Sequence, residues 1–249
     1  MNVTAVRTAF SWFGVLAAVA SLAAGCSDST AESEPRPTST GRRQVYVAIG
    51  SDETVGTGIE RPLSEAWPRI VFRTALDRST VFVNAATEGS TVADALEEQL
   101  SVALELEPTL VTVWVNRWDV MRGIPVEAYE RQLTDLVRAL RRGGRTEVLV
   151  ANVPPLPAGG GASVILGPTS PNEDDVSFTE VPPTAPREVS ARIAAYNDAI
   201  ARVAASEGAT VIDVQAAGRA APLYSSDGVG LTSEAHAHVA ELFAEALGS

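Results

Sequence analysis

Five short apolar runs, each separated from the next by residues at helical spacing, constrain this chain more than any other feature. They are residues 45–49, 79–84, 110–115, 148–153 and 210–214, dominated by Val, Ile and Leu. All five read as strands, and the continuous apolar run 110–115 as one covered on both faces. Between them, Val92, Ala95, Leu96, Gln99, Leu100 and Ala103 share a helical face, as do Tyr129, Leu133, Leu136, Val137 and Leu140, and then Val189, Ile193, Tyr196, Ile200 and Val203. The punctuation agrees: Thr91 is placed as an N-cap, Pro125 opens a helix, Gly143-Gly144 and Gly208 close two others, and Ser233 to Leu247 forms the last. Strands separated by helices pair in parallel only through crossovers. The spacing therefore predicts an α/β fold, a three-layer α/β/α sandwich around a five-stranded parallel sheet. Ligands in such sheets bind outside the carboxyl ends of the strands, which puts the loops after Ile49, Asn84, Val115, Val153 and Val214 at one edge.

The N-terminal part has a different character. Arg7 precedes an apolar segment from Ala9 to Ala24 that is short for a membrane span and ends in small residues, the pattern of an export signal. Leu22-Ala23-Ala24-Gly25-Cys26 resembles a bacterial lipobox, and Cys26 is the only cysteine, so it has no internal disulfide partner. The expectation is a lipoprotein signal peptide over residues 1–25, a lipidated Cys26 with a flexible tether through residue 43, and a folded domain over 44–249. The domain carries a Pro- and Gly-rich insertion at about 154–186. The expected location is the extracytoplasmic face of a bacterial cell membrane. Its expected partners are the outer face of that membrane, through the lipid, and a glycan or other envelope ligand. A formal net charge of -12 excludes nucleic acid, which requires basic patches.

The loops at the carboxyl edge resemble those of the SGNH hydrolases, the GDSL-type lipases and esterases, from about Gln44 to Leu247. The resemblance implies a nucleophile after the first strand, oxyanion donors after the second and third, and an Asp-x-x-His pair before the last helix. The family's Gly-Asp-Ser is here Gly50-Ser51-Asp52, with Gly56 on the downstream glycine, so Asp52 takes the nucleophile's place. In Asn84-Ala85-Ala86-Thr87-Glu88-Gly89-Ser90-Thr91 the donor glycine is kept as Gly89, which equally suits an ordinary turn before a helix. The family's Trp-x-Gly-x-Asn-Asp is Trp114-Val115-Asn116-Arg117-Trp118-Asp119, so Trp118 replaces the donor asparagine; its indole N–H can donate, while its bulk fills substrate space. In Asp227-Gly228-Val229-Gly230 the aspartate remains and Gly230 replaces the general-base histidine. His236 lies six residues further on, about 9 Å along a helix axis.

The resemblance thus implies an ester-hydrolase fold whose serine, asparagine and histidine positions are all replaced, a cell-envelope binding protein rather than an enzyme, needing no cofactor. Two other readings stay open. One is an active esterase or acylhydrolase using Ser51 as nucleophile and a displaced His236 as base. The other is carboxylate chemistry or hard-cation binding by Asp52, Glu53, Asp119 and Asp227, should they converge.

Overall fold

A computed structural model describes residues 43–156 and 186–248, all within one compact unit, Arg42–Ser249. The expected signal peptide, Cys26 and tether lie outside the described residues, as does nearly all of the 154–186 insertion. In chain order the elements are β1 (Val45–Gly50), α1 (Asp52–Val55), α2 (Pro62–Glu65), α3 (Trp67–Thr74), β2 (Val81–Asn84) and α4 (Val92–Asp94). A π-helical turn, Ala95–Gln99, then leads into α5 (Leu100–Glu105), followed by β3 (Leu110–Trp114), α6 (Arg117–Met121) and α7 (Val126–Arg141). The chain continues with β4 (Glu147–Ala151), α8 (Pro186–Glu207), β5 (Thr210–Ile212), α9 (Val214–Ala220) and α10 (Ser233–Gly248).

The five strands form one parallel sheet in the order β2-β1-β3-β4-β5. Strand alternation sorts the core into two layers. Val47, Ile49, Val111, Val113, Val148 and Val150 pack with Tyr129, Leu133 and Leu136 of α7 and with Tyr196 and Ile200 of α8. Tyr46, Ala48, Trp114, Leu149 and Ala151 face Trp67 and Val71 of α3 and Val239 and Phe243 of α10, where the Trp67 and Phe243 rings stack at 4.2 Å. The sandwich expected from periodicity is therefore present. No described helix is long and apolar enough to cross a membrane.

The chain leaves β1 toward β2 on one side and returns to place β3 on the other. This reversal is the switch point at which sheets of this kind form their ligand crevice, at the carboxyl ends of β1 and β3. Gln99 anchors that end of β1 from the π-helical turn. Its amide oxygen accepts from Gly50 N–H at 3.0 Å, and its amide nitrogen donates to Gly50 O at 3.0 Å and to Ser90 Oγ at 3.2 Å. The helix beginning at Thr91 is thus interrupted rather than uniform, and the interruption coincides with the residue that ties it to β1. The capping box at its start, Thr91 with Asp94, is fully formed.

Several loops are more ordered than their composition implies. The polar stretch after Gly50 is a helical turn, the segment after Asn116 is α6, and Val214 begins α9 rather than ending β5. Each is short, and apolar periodicity has no reach over so few residues.

Gln99→Ala leaves the buried Gly50 N–H without its partner. Urea denaturation should show a loss of about 2 kcal/mol, the cost of a buried unsatisfied donor. An unchanged midpoint would refute this anchoring role.

Candidate functional site

Asp52 is the first residue of α1, at the mouth of the crevice, and is 8% exposed. Its Oδ2 receives two hydrogen bonds, from the Gly89 backbone N–H at 2.8 Å and from the Trp118 indole Nε1–H at 2.6 Å. Three strand ends therefore converge on one oxygen: β1 supplies the carboxylate, the loop after β2 the glycine, and α6 beyond β3 the indole. Gly89 has φ +75°, a backbone conformation that side chains disfavour, and its carbonyl is held from the other side by Arg122 Nη2 at 3.1 Å. Asn84 Nδ2 donates to Thr54 O at 2.9 Å and Thr57 Oγ1 donates to Glu88 Oε1 at 2.6 Å, lacing α1 to the β2 loop. Trp118 is half-buried, with the Arg117 and Arg122 guanidinium carbons 5.8 Å and 5.4 Å from its ring. Paired N–H donors aimed at one oxygen are the physical form of an oxyanion hole. Here the chain's own carboxylate takes both donors, and Trp118 supplies one of them.

Beside this hole lies a second, buried carboxylate with other partners. Glu53, 1% exposed, accepts from Ser51 Oγ at 3.0 Å and Tyr224 OH at 2.9 Å, and pairs with Arg117 Nη1 at 3.5 Å. Arg117, 3% exposed, also donates to the carbonyls of Gly228 and Val229, and its guanidinium lies 4.9 Å from the Tyr224 ring. The Ser51 hydroxyl is fully buried and committed to Glu53. Burial with a carboxylate beside it holds the Tyr224 phenol well above its ordinary range. Arg117 and Tyr224 are the site residues that sequence reasoning missed. Neither carries a local signal: Arg117 stands two residues past the run 110–115, where an arginine is ordinarily solvated, and its partner is distant in sequence.

The remaining candidates lie elsewhere. Gly230 is buried against the first loop, where an added Cβ would stand 1.9 Å from Thr57 O. No side chain fits there without moving residues 57–58. Asp227 is exposed and closes its own turn: Ser225 Oγ and the Val229 N–H both donate to its Oδ1, which holds its carboxyl below the usual range. His236 is fully buried in α10, its Nδ1 accepting from the Trp67 N–H at 3.2 Å, and burial lowers its pKa to about 4. Ser51 and His236 are thus held by different partners and not by each other. Asp119, also fully buried, accepts from the Val92 N–H at the start of α4 at 3.1 Å; burial raises its pKa to about 7 against the opposing pull of that bond. The expected convergence of Asp52, Glu53, Asp119 and Asp227 is not found: Asp52 accepts from Gly89 and Trp118, Glu53 from Ser51 and Tyr224, Asp119 from Val92, and Asp227 from its own turn. Among the described residues no three such side chains are grouped to hold a metal ion.

Comparison with known proteins places this geometry. The sequence model of the GDSL-like lipase/acylhydrolase family matches residues 48–238. Solved structures share the fold at low identity. TesA is 18% identical with a TM-score of 0.62, covering 82% of this chain and 98% of its own. The lipase/acylhydrolase of Enterococcus faecalis is 18% identical with a TM-score of 0.60, covering 83% and 96%. The psychrotrophic esterase EstA of a Pseudoalteromonas species, whose structure is inhibited by monoethylphosphonate, is 16% identical with a TM-score of 0.58, covering 82% and 97%. No curated protein matches the chain at a significant level.

Asp119 and His236 act oppositely on stability across one pH window. With its pKa raised to about 7, folded Asp119 keeps a proton that the unfolded chain has released above about pH 4, so its contribution is lost as pH rises from about 4 to about 7. With its pKa lowered to about 4, His236 contributes stability that is lost as pH falls from about 6.5 to about 4. Asp119→Asn keeps an acceptor for Val92 and removes only the first effect. Relative to wild type, this variant should gain on the order of 3 kcal/mol between pH 4 and pH 7. Melting curves that stay parallel across that range would contradict the assignment.

Proposed function

We propose that this chain, which belongs to the GDSL-like lipase/acylhydrolase family, has lost acyl-ester hydrolysis and serves as a lipid-anchored binding protein of the cell envelope. One observation carries the first half: Asp52 Oδ2 takes both N–H donors of the hole at the nucleophile's own position. A substrate carbonyl would have to displace a carboxylate from two charge-assisted hydrogen bonds, and would then meet no hydroxyl. Gly230 adds a second support, since its place is closed by the Thr57 carbonyl. Removing a single triad member already leaves only residual catalysis. The alternative pairing of Ser51 with His236 draws no support from the geometry, as the hydroxyl is spent on Glu53 and the imidazole on the Trp67 backbone.

Export and anchoring rest on the apolar segment Ala9–Ala24 followed by Cys26. A lipid at Cys26 followed by the Ser-, Thr- and Pro-rich residues up to 43 would hold the domain near the membrane. The ligand proposed for the crevice is a glycan or another envelope component.

Purified protein should hydrolyse short-chain para-nitrophenyl esters no faster than buffer, and a fluorophosphonate probe should leave Ser51 unlabelled. Asp52→Ser should not create an esterase, because no base replaces the missing histidine. Hydrolysis by wild type that disappears in Ser51→Ala would sink the proposal. Anchoring is tested separately: in a bacterial host the chain should incorporate labelled palmitate and partition into detergent, and Cys26→Ala should do neither. Identical fractionation of the two would remove the anchor.

A further inference from the structure

We infer that Asp52 is a carboxylate nucleophile toward alkyl electrophiles of the epoxide class, forming a covalent ester through Oδ1. The two oxygens of this carboxylate are not equivalent. Oδ2 is fixed by Gly89 N–H at 2.8 Å and Trp118 Nε1–H at 2.6 Å, which orients the group. Oδ1 has no hydrogen-bond partner among the described residues and is not one of the buried atoms left unpartnered, so it is the oxygen that faces the crevice. An oriented carboxylate with one free oxygen, at the switch point where sheets of this kind bind ligands, is equipped for nucleophilic attack.

Leaving-group chemistry selects the electrophile. Attack on an acyl ester would give a mixed anhydride and expel an alkoxide, a far poorer leaving group than the carboxylate itself, so the step runs backward. Attack on a saturated epoxide carbon has no such return. The Oδ1–carbon bond forms while the ring carbon–oxygen bond breaks, its electron pair goes to the ring oxygen, and that alkoxide takes a proton from water, leaving hydroxide. The product is a hydroxyalkyl ester of Asp52. Its carbonyl oxygen is the former Oδ2, still facing Gly89 and Trp118. Releasing the ester would require a base to activate water. Gly230 offers no side chain, and His236 is turned to the Trp67 backbone. The ester therefore accumulates at one per chain. This reaction is stoichiometric, and it depends neither on the anchor nor on the envelope ligand.

The test incubates the purified full chain with excess para-nitrophenyl glycidyl ether and reads intact mass and peptide maps. One probe mass should add to the peptide containing Asp52 and be released by hydroxylamine, which cleaves esters. Asp52→Asn, whose amide oxygen can still accept from both donors, should melt as wild type does and label at least about tenfold less. Asp119→Asn should label as wild type. No adduct at Asp52, equal labelling of Asp52→Asn, or label spread equally over exposed carboxylates such as Asp227 would each overturn the inference. Its failure is separable from failure of the ester-hydrolysis proposal, which is read by acyl-ester turnover at Ser51.

Discussion

The architecture of the crevice depends on a buried charge. Glu53 lies out of water with Arg117, and an ion pair so placed persists only when its remaining hydrogen-bonding capacity is met. Ser51 and Tyr224 meet the carboxylate's share, and the carbonyls of Gly228 and Val229 meet part of the guanidinium's. These partners come from the first loop, from α6 and from the loop before α10. Satisfying one charge therefore clamps three segments that are far apart in sequence, and the arginine Nε left without a partner marks the limit of that satisfaction. The arrangement is stabilising only as a whole. Removal of either ion would strand the other, and the loops would lose their common anchor.

Two consecutive carboxylates thus do different work. Glu53 is turned inward and is structural, while Asp52 is turned to the crevice and keeps one oxygen free. The division follows from their position at the start of a helical turn, where successive side chains point about 100° apart. Ser51 is unavailable for a separate reason: it is the N-cap residue of α1, outside the helical spacing, and its buried hydroxyl donates to Glu53.

Much of this was legible in the residues, and the part that was not has a physical reason. Strand runs and helix faces are periodic, so the sheet and its two apolar layers follow from spacing. The resemblance of their loops to the family's motifs singles out Asp52, Gly89 and Trp118, and the structure brings the three together on one oxygen. The ion pair was hidden because its members are 64 residues apart and nothing local marks Arg117 as buried. Acidic residues at loop ends look alike in sequence. Asp119 feeds a helix start, Asp227 closes a turn, and neither role leaves a pattern distinct from a solvated charge. The π-helical turn was illegible for a similar reason, since one extra residue in a turn barely disturbs an apolar stripe.

On the proposed reading, the absence of a base at Gly230 and the presence of two donors on Asp52 are physically linked. A histidine before the last helix needs open space beside the first loop, and here the Thr57 carbonyl occupies it, with Gly58 packed against the Gly230 backbone. Once the two loops touch, Arg117 can reach the carbonyls of Gly228 and Val229 and hold them. The donors have no such freedom. Gly89 precedes the capped start of α4, and Trp118 lies within α6, so both are fixed by the same elements that build the core. Without an acceptor between them, the Gly89 and Trp118 N–H groups would be left with no protein partner. A carboxylate at the position of the missing hydroxyl meets both. Asp52 thus satisfies both donors that the scaffold presents at the end of β1.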